Sequence, residues 1–294
     1  MKLARFLVAL MAAIFGTAIA TTAAATPPLY EVTHPERAGT AWLAGTIHFM
    51  DNAADGRPAA FDRVFEEADS VWFEIDLTIP ETTLAREMVA MATDDSSRLV
   101  AALPPTKQLL ALRKAAEANG MPLQQLSGFE PWFVFLQWSA LLMNRLGFDA
   151  EHGVENQYAE AAVEAGKPVS GLETLREQLG HFDRMEVSAQ LDAMATFIAE
   201  LDRSETEMQR MVTAWKEGND AELARIVDES WQQDAVLNEA LLLKRNRNWV
   251  STLDEELATS GARLVMVGAG HLVGRDSLPE MLRERGYSVV RIRD

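Results

Sequence analysis

The apolar positions of this chain follow two different periods. Near both ends they come in short, nearly continuous runs, and in the long middle they recur every three to four residues. Leu29 to Thr33 and Thr40 to Ile47 are β-like, and the turn-rich Pro35-Glu36-Arg37-Ala38-Gly39 between them predicts a hairpin. Phe61, Val64, Phe65 and Ala68 have helical spacing within Ala59 to Ala68. Ser70 to Leu77 (Ser-Val-Trp-Phe-Glu-Ile-Asp-Leu) predicts a strand. At the other end, Arg263 to Val267 and Tyr287 to Ile292 predict strands flanking a helix near Ser277 to Arg285.

The middle is predicted helical. Pro80 to Met91, Pro105 to Asn119 and Pro131 to Arg145 each open on proline, which a first helical turn accepts. Gly153 to Ala165 is followed by Gly166, a C-cap signal, and Lys167 to Gly171 is a short strand candidate. Helices are then expected over Thr174 to Glu186, Ser188 to Asp202, Glu205 to Lys216, Asp220 to Ser230 and Asp234 to about Ser260. The two β-rich ends each carry too few strands to stand alone. The expected fold is therefore α/β, with a central sheet built from strands at both chain ends and a large helical middle region.

The first residues change the picture at one end. Lys2 and Arg5 precede an apolar stretch from Phe6 to Ala20, and Ala23-Ala24-Ala25 offers small residues for cleavage. That is the layout of a secretory signal peptide over residues 1–25, with an α/β domain over 26–294. Its apolar stretch is shorter than the about 20 residues needed to span a bilayer, and no later stretch is apolar enough. Export, to the periplasm, is the expectation.

Charge and composition narrow the chemistry. Removal of Lys2 and Arg5 takes the formal net charge from −17 to −19, which argues against nucleic acid as a partner. The cysteine count is zero, so there is no disulfide, thiol nucleophile or lipid-bearing cysteine. Any metal must be held by His, Asp and Glu, which suits Mn, Co or Zn.

Two of the five histidines sit in matching settings, Gly45-Thr46-Ile47-His48 and Gly268-Ala269-Gly270-His271, each just past a predicted strand. Open α/β sheets hold ligands outside the carboxyl ends of their strands. Glu74 lies among Val71, Trp72, Phe73, Ile75 and Leu77, and a carboxylate in an apolar strand is costly unless paired or metal-bound. Asp76 shares its parity but stands nearer the strand's exit. His48, Glu74 and His271 thus form a candidate three-ligand metal site with an open position for water. In a metal-free version one histidine is a general base that Glu74 orients.

Weaker candidates lie in the middle. Glu155 opens a helix, where the macrodipole alone favours a carboxylate. Glu173 follows Gly171, and Arg245 belongs to the basic, aromatic run Arg245-Asn246-Arg247-Asn248-Trp249, either a solvated face or a carboxylate binder. His34 and His181 read as loop or surface residues. Met88, Met91, Met208 and Met211 read as core, with an adaptable groove as the other possibility. Gly268-x-Gly270 with Gly274 is a poor dinucleotide fingerprint, and neither a Gly-x-Ser-x-Gly elbow nor a His-Glu-x-x-His helix occurs.

Taken in order, several segments resemble the TraB/PrgY/GumN family. They are Trp42 to His48, Val71 to Leu77, Gly153-Val154-Glu155, Gly166 to Val169 with Leu172-Glu173-Thr174, Arg245-Asn246 with Trp249, Val267 to Gly274 and Gly286 to Val289. The resemblance implies kinship with Tiki proteins, metal-dependent proteases using two Gly-x-x-His motifs and a glutamate, which maps onto His48, Glu74 and His271. It also implies a scaffold shared more distantly with erythromycin esterases and ChaN-like haem-binding proteins. The expectation is a secreted metal-dependent hydrolase of peptidase type, acting on a peptide or small molecule, with Arg245 stabilising an oxyanion or carboxylate. The alternatives are a metal-free esterase-type hydrolase with His48 as base, and a non-catalytic protein that sequesters a peptide or haem-like ligand.

Overall fold

The computed structural model describes residues 25–51, 57–93, 128–199, 203–231 and 235–293, with single helical positions at 110, 114 and 117. The signal-peptide reading and most of the predicted helix Pro105 to Asn119 fall outside these residues.

The described strands are β1 (Leu29–Thr33), β2 (Gly39–Thr46), β3 (Ser70–Phe73), β4 (Val169–Gly171), β5 (Gly261–Gly268) and β6 (Ser288–Arg291). They form one sheet in the order β4-β3-β5-β2-β1-β6. β1 and β2 are the predicted antiparallel hairpin, and β6 pairs antiparallel with β1. β5 runs parallel to both β2 and β3, and β4 runs parallel to β3. The strands of the two chain ends therefore interleave in one sheet, as their individual insufficiency requires.

The central strands are buried on both faces, which is why they read as continuous apolar runs rather than alternating ones. Side-chain parity divides them cleanly. Trp42, Ala44, Val71, Phe73, Leu264 and Met266 point into one core, while Ala41, Leu43, Val265 and Val267 point into the other. The first core is closed by α1 (Ala59–Glu67), the helix α4 (Val154–Glu164), α7 (Ser204–Lys216) and α8 (Asp220–Trp231). The second is closed by α10 (Lys244–Glu256) and α11 (Leu278–Glu284).

A third cluster lies among the helices of the middle region: α2 (Glu81–Ala92), α3 (Pro131–Arg145), α5 (Leu175–Asp183) and α6 (Val187–Ala199). The helix α3 is buried nearly all round, including Trp132 and Trp138, as expected of a helix apolar on every face. α5 opens with a capping box, in which Thr174 and Glu177 satisfy each other's backbone N–H groups. Met88 and Met208 are core residues and Met91 and Met211 pack at its margin, so these methionines do not line an open groove.

Two predicted elements differ. The strand expected over Ser70 to Leu77 ends at Phe73, because the chain then bends across Gly171. A Cβ on Gly171 would stand 2.8 Å from the Asp76 nitrogen and 3.0 Å from the Ile75 carbonyl carbon, so only glycine admits this crossing. Glu74 is thus the first residue beyond the strand, not its middle. Asp76 is spent locally, its carboxylate accepting from the Thr78 N–H (2.8 Å) and hydroxyl (2.6 Å). The long helix expected from Asp234 is described as α9 (Ala235–Asn238), a π-helical turn (Glu239–Leu243) and α10. Such π insertions re-aim the side chains that follow, here Arg245 and Asn246.

The loop leaving β2 is clamped from two sides. Trp215, fully buried on α7, donates its indole N–H to the Gly45 carbonyl at 2.6 Å. From the other side, Asp149 and Met50 exchange backbone hydrogen bonds (2.9 and 3.2 Å) and the Val154 N–H donates to the Ile47 carbonyl at 3.1 Å. Trp215→Phe keeps an aromatic ring but loses the pyrrole part of the indole, which leaves the buried Gly45 carbonyl without its donor and a small void beside it. Its urea midpoint is expected to fall by the equivalent of about 1–3 kcal/mol with m unchanged. A loss under about 0.5 kcal/mol would mean that this bond does not hold the loop.

Candidate functional site

The two Gly-x-x-His motifs meet because β2 and β5 pair in parallel and finish together, with Thr46 opposite Gly268. His48 follows β2 by two residues, and His271 lies in a short 3-10 turn (Ala269–Leu272) after β5. Phe73 pairs with Met266 on the other side of β5, so Glu74 arrives at the same rim. The structure thus brings together His48, Glu74 and His271 at the carboxyl ends of three adjacent strands.

Glu74 is the hub. Its Oε1 accepts from the Gly268 backbone N–H at 2.8 Å and stands 3.8 Å from His48 Nε2 and 3.9 Å from His271 Nε2. Its Oε2 accepts from Arg245 Nη2 at 2.5 Å and from Gln178 Nε2 at 3.2 Å. Gly268 must lack a side chain here, since a Cβ would stand 2.9 Å from His48 Nε2 and 3.3 Å from Glu74 Oε1.

Both imidazoles are anchored at the opposite nitrogen. His48 Nδ1 forms a very short contact with Glu155 Oε1, and His271 Nδ1 lies 2.6 Å from Asn246 Oδ1. Glu155 can reach because Gly153 lies flush against the His48 backbone carbonyl, where any Cβ would collide. The Trp249 ring packs against the His271 ring at a centroid distance of 4.5 Å, and the Arg245 guanidinium lies over Trp249 at the same separation. Arg245 is held by two carboxylates: Nη2 on Glu74, and Nε (2.8 Å) and Nη2 (2.7 Å) on Glu173. Its Nη1 stands 3.3 Å from His271 Nε2.

The electrostatics follow from this packing. Burial works against the charge on Glu74, but the Arg245 guanidinium, His271, His48 and the Gly268 N–H together outweigh it and hold the carboxyl down to about 2. Burial and the Arg245 charge together push His271 down to about 3, so its imidazole is neutral. Burial also works against a charged His48, yet the Glu155 carboxylate, with Glu74 behind it, raises its pKa above the ordinary value. The two look-alike histidines are therefore inequivalent, and His48, whose side chain is 14% exposed, is the more open of them.

Among the described residues, no three His, Asp or Glu side chains are already drawn tightly enough to enclose an ion. The donor set nevertheless fits one: two imidazole Nε2 atoms face a single carboxylate oxygen, and each Nδ1 is tied to an orienting partner, as ligating histidines are. The charges fit as well. Among the described residues, Glu74, Glu155 and Glu173 surround one guanidinium, Arg245, an excess of negative charge at a nearly dry rim that a divalent cation or a protonated histidine would balance.

Glu155, Glu173 and Arg245 are thus all placed around the central three, with Arg245 only 3% exposed and not on a solvated face. His181 departs from its expected surface position. It is buried on α5 with Nε2 3.8 Å from Glu173 Oε2, because the apolar Leu179 and Phe182 turn this face of the helix inward. His34 does lie in the β1–β2 turn, its ring packed at a tilt against Tyr287. Sequence reasoning missed Gln178 and Asn246 as site residues. Asn246 had one readable signal, its place beside Arg245 one turn before Trp249; Gln178 on a helix had none.

The family model described as the TraB/PrgY/gumN family matches residues 28–291. Two proteins named "Uncharacterized protein YbaP", from Escherichia coli (strain K12) and Shigella flexneri, are each similar at 24% identity over 245 residues, 82% of this chain and 87% of theirs. No solved structure matches.

The site is expected to cost the fold stability in acid. His271 takes a proton near 6.5 when unfolded but only near 3 when folded, so stability falls as pH drops from 6.5 toward 3. Glu74 adds to the loss as pH falls from 4.5 toward 2. His48, with its raised folded value, has the opposite sense: its contribution is complete below 6.5 and is lost only as pH rises above that. In the presence of a chelator, unfolding free energy should therefore decline between pH 6.5 and 4.5 by up to about 1.4 kcal/mol per unit from His271 alone. His271→Gln should flatten that part of the profile; an unchanged slope would mean that His271 titrates normally in the fold.

Proposed function

This chain belongs to the TraB/PrgY/gumN family, and on that premise we propose that it is a divalent-metal-dependent hydrolase of peptidase type, acting after export. One observation carries the reading: His48 Nε2 and His271 Nε2 converge on the same oxygen of Glu74, 3.8 and 3.9 Å away, at the carboxyl-end rim of the sheet. The resemblance to Tiki-type proteases supplies the peptide substrate class. The basic, apolar and small residues of the first 25 positions support export.

In this reading His48, Glu74 and His271 would hold the ion, of the Mn, Co or Zn class that imidazole and carboxylate suit. A bound ion of this kind lowers the pKa of water and polarises a carbonyl. The chain's own residues do the rest. Glu155 orients His48, and the Gly268 N–H fixes the rotamer of Glu74. Arg245 holds Glu74 and Glu173 apart from one another and supplies the positive charge nearest any oxyanion that develops at this rim. Gln178 bridges the same two carboxylates from the helical side.

A second reading has an observation of its own. His48 pairs through Nδ1 with the Glu155 carboxylate and turns Nε2 toward the centre of the site, which is the arrangement of a carboxylate-oriented general base. A metal-free esterase-type hydrolase would use that pair, with Arg245 as the oxyanion partner.

Metal content separates the two. Purified without chelator or affinity metal, the protein should carry about one equivalent of Mn, Co or Zn, and His48→Ala should lose it. Peptide-library cleavage should fall by about 10²-fold or more in Glu74→Gln. A metal-free wild type that still cleaves esters, with activity lost in Glu155→Gln, would replace the first reading by the second.

A further inference from the structure

The two Gly-x-x-His motifs are nearly the same in sequence, but their orienting partners differ in kind. His48 is backed by a carboxylate, Glu155, whereas His271 is backed by an amide, Asn246. Asn246 is wholly buried on the first turn of α10. Its Nδ2–H donates to the Asp276 carbonyl at 2.9 Å. The reverse orientation would set Oδ1 against that carbonyl, acceptor against acceptor, so the amide is fixed with Oδ1 toward His271. Oδ1 lies 2.6 Å from His271 Nδ1 and carries no proton, so the proton between them belongs to Nδ1.

A neutral imidazole protonated at Nδ1 has its lone pair on Nε2. Nε2 is the atom that faces Arg245 Nη1 at 3.3 Å and Glu74 Oε1 at 3.9 Å. Trp249 against the ring restrains a flip that would exchange the two nitrogens. From this geometry we infer that Asn246 is a positioning residue that holds His271 in its Nδ1–H tautomer, with the Nε2 lone pair aimed at the centre of the site. It acts through His271 and does not itself touch the reacting atoms. The usefulness of that lone pair as a ligand rests on the hydrolase reading above, while the tautomer rests on the hydrogen bonds alone.

The contrast with Glu155 gives the choice of an amide its meaning. A carboxylate partner accommodates an imidazole both with and without its second proton, whereas an amide oxygen adds no full negative charge to favour the cation. Asn246 therefore keeps one histidine of the pair as a fixed lone-pair donor.

Two variants separate positioning from simple structural support. Asn246→Asp keeps an acceptor for His271 but loses the donor to Asp276; Asn246→Leu loses both. In metal-free ¹⁵N-labelled protein at neutral pH, long-range ¹H–¹⁵N spectra of the imidazoles should show wild-type His271 protonated at Nδ1. Asn246→Asp should preserve that pattern, and Asn246→Leu should give a mixed or reversed one. Zinc affinity, measured by chelator competition, should weaken about 10–100-fold in Asn246→Leu and stay within about threefold of wild type in Asn246→Asp.

Wild-type His271 protonated at Nε2 would overturn the inference even if the leucine variant fails to fold. A tautomer unchanged in Asn246→Leu would pass the role to Arg245, and equal zinc losses in both variants would reduce Asn246 to a tie between α10 and Asp276. A wild type that binds none of Mn, Co or Zn but shows Nδ1–H at His271 would sink the metal-dependent reading and leave the Asn246 assignment standing.

Discussion

The parallel pairing of β2 with β5 is the constraint on which the rest depends. It joins residues near the start of the folded chain to residues near its end, and its register puts Thr46 beside Gly268. A slip of one residue would turn Trp42, Ala44, Leu264 and Met266 out of their shared core, so the apolar parity of the strands enforces the register. The site inherits that precision. Two backbone exits at one level, with β3 finishing beside them, bring two imidazoles and a carboxylate to one point without any long or flexible connection.

What then holds the site in shape is charge matched to burial. Glu74 and Glu173 would each be costly at this depth, and a single guanidinium lying between them offsets both. Arg245 is itself sandwiched against Trp249, which also backs His271. The acidic pair, the cation, the indole and the imidazole form one block, so changing any of them changes the field at the others. Energies measured on single substitutions here will not add.

The fold was legible where local pattern and topology agree. The hairpin of β1 and β2, the strands at both ends and most helices followed from period alone, and the insufficiency of each end foretold their union. The strand through Glu74 was overextended because its apolar run continues past the point where Gly171 forces a bend, and that crossing is a long-range contact with no local signal. His48, Glu74 and His271 were readable because glycine at strand ends and a carboxylate among apolar residues are both unusual. Glu155, Glu173 and Arg245 were ambiguous as isolated residues, since a charge on a helix is ordinarily solvated; burial against one another is a property of the assembled helices. Gln178, Asn246 and the inward turn of His181 depend on helix rotation, which periodicity fixes only coarsely.

The order of strands in the sheet has a consequence for how the protein comes into being. β5 fills the slot between β2 and β3, yet it begins only at residue 261 of the chain. Until that segment is available, the position between the edges of β2 and β3 cannot be filled. The sequence-distant contacts that complete it also make folding slow. Shielding such edges is the ordinary work of holding chaperones. The same insertion that finishes the sheet delivers His271 to His48, so the two imidazoles come together only when that strand is in place.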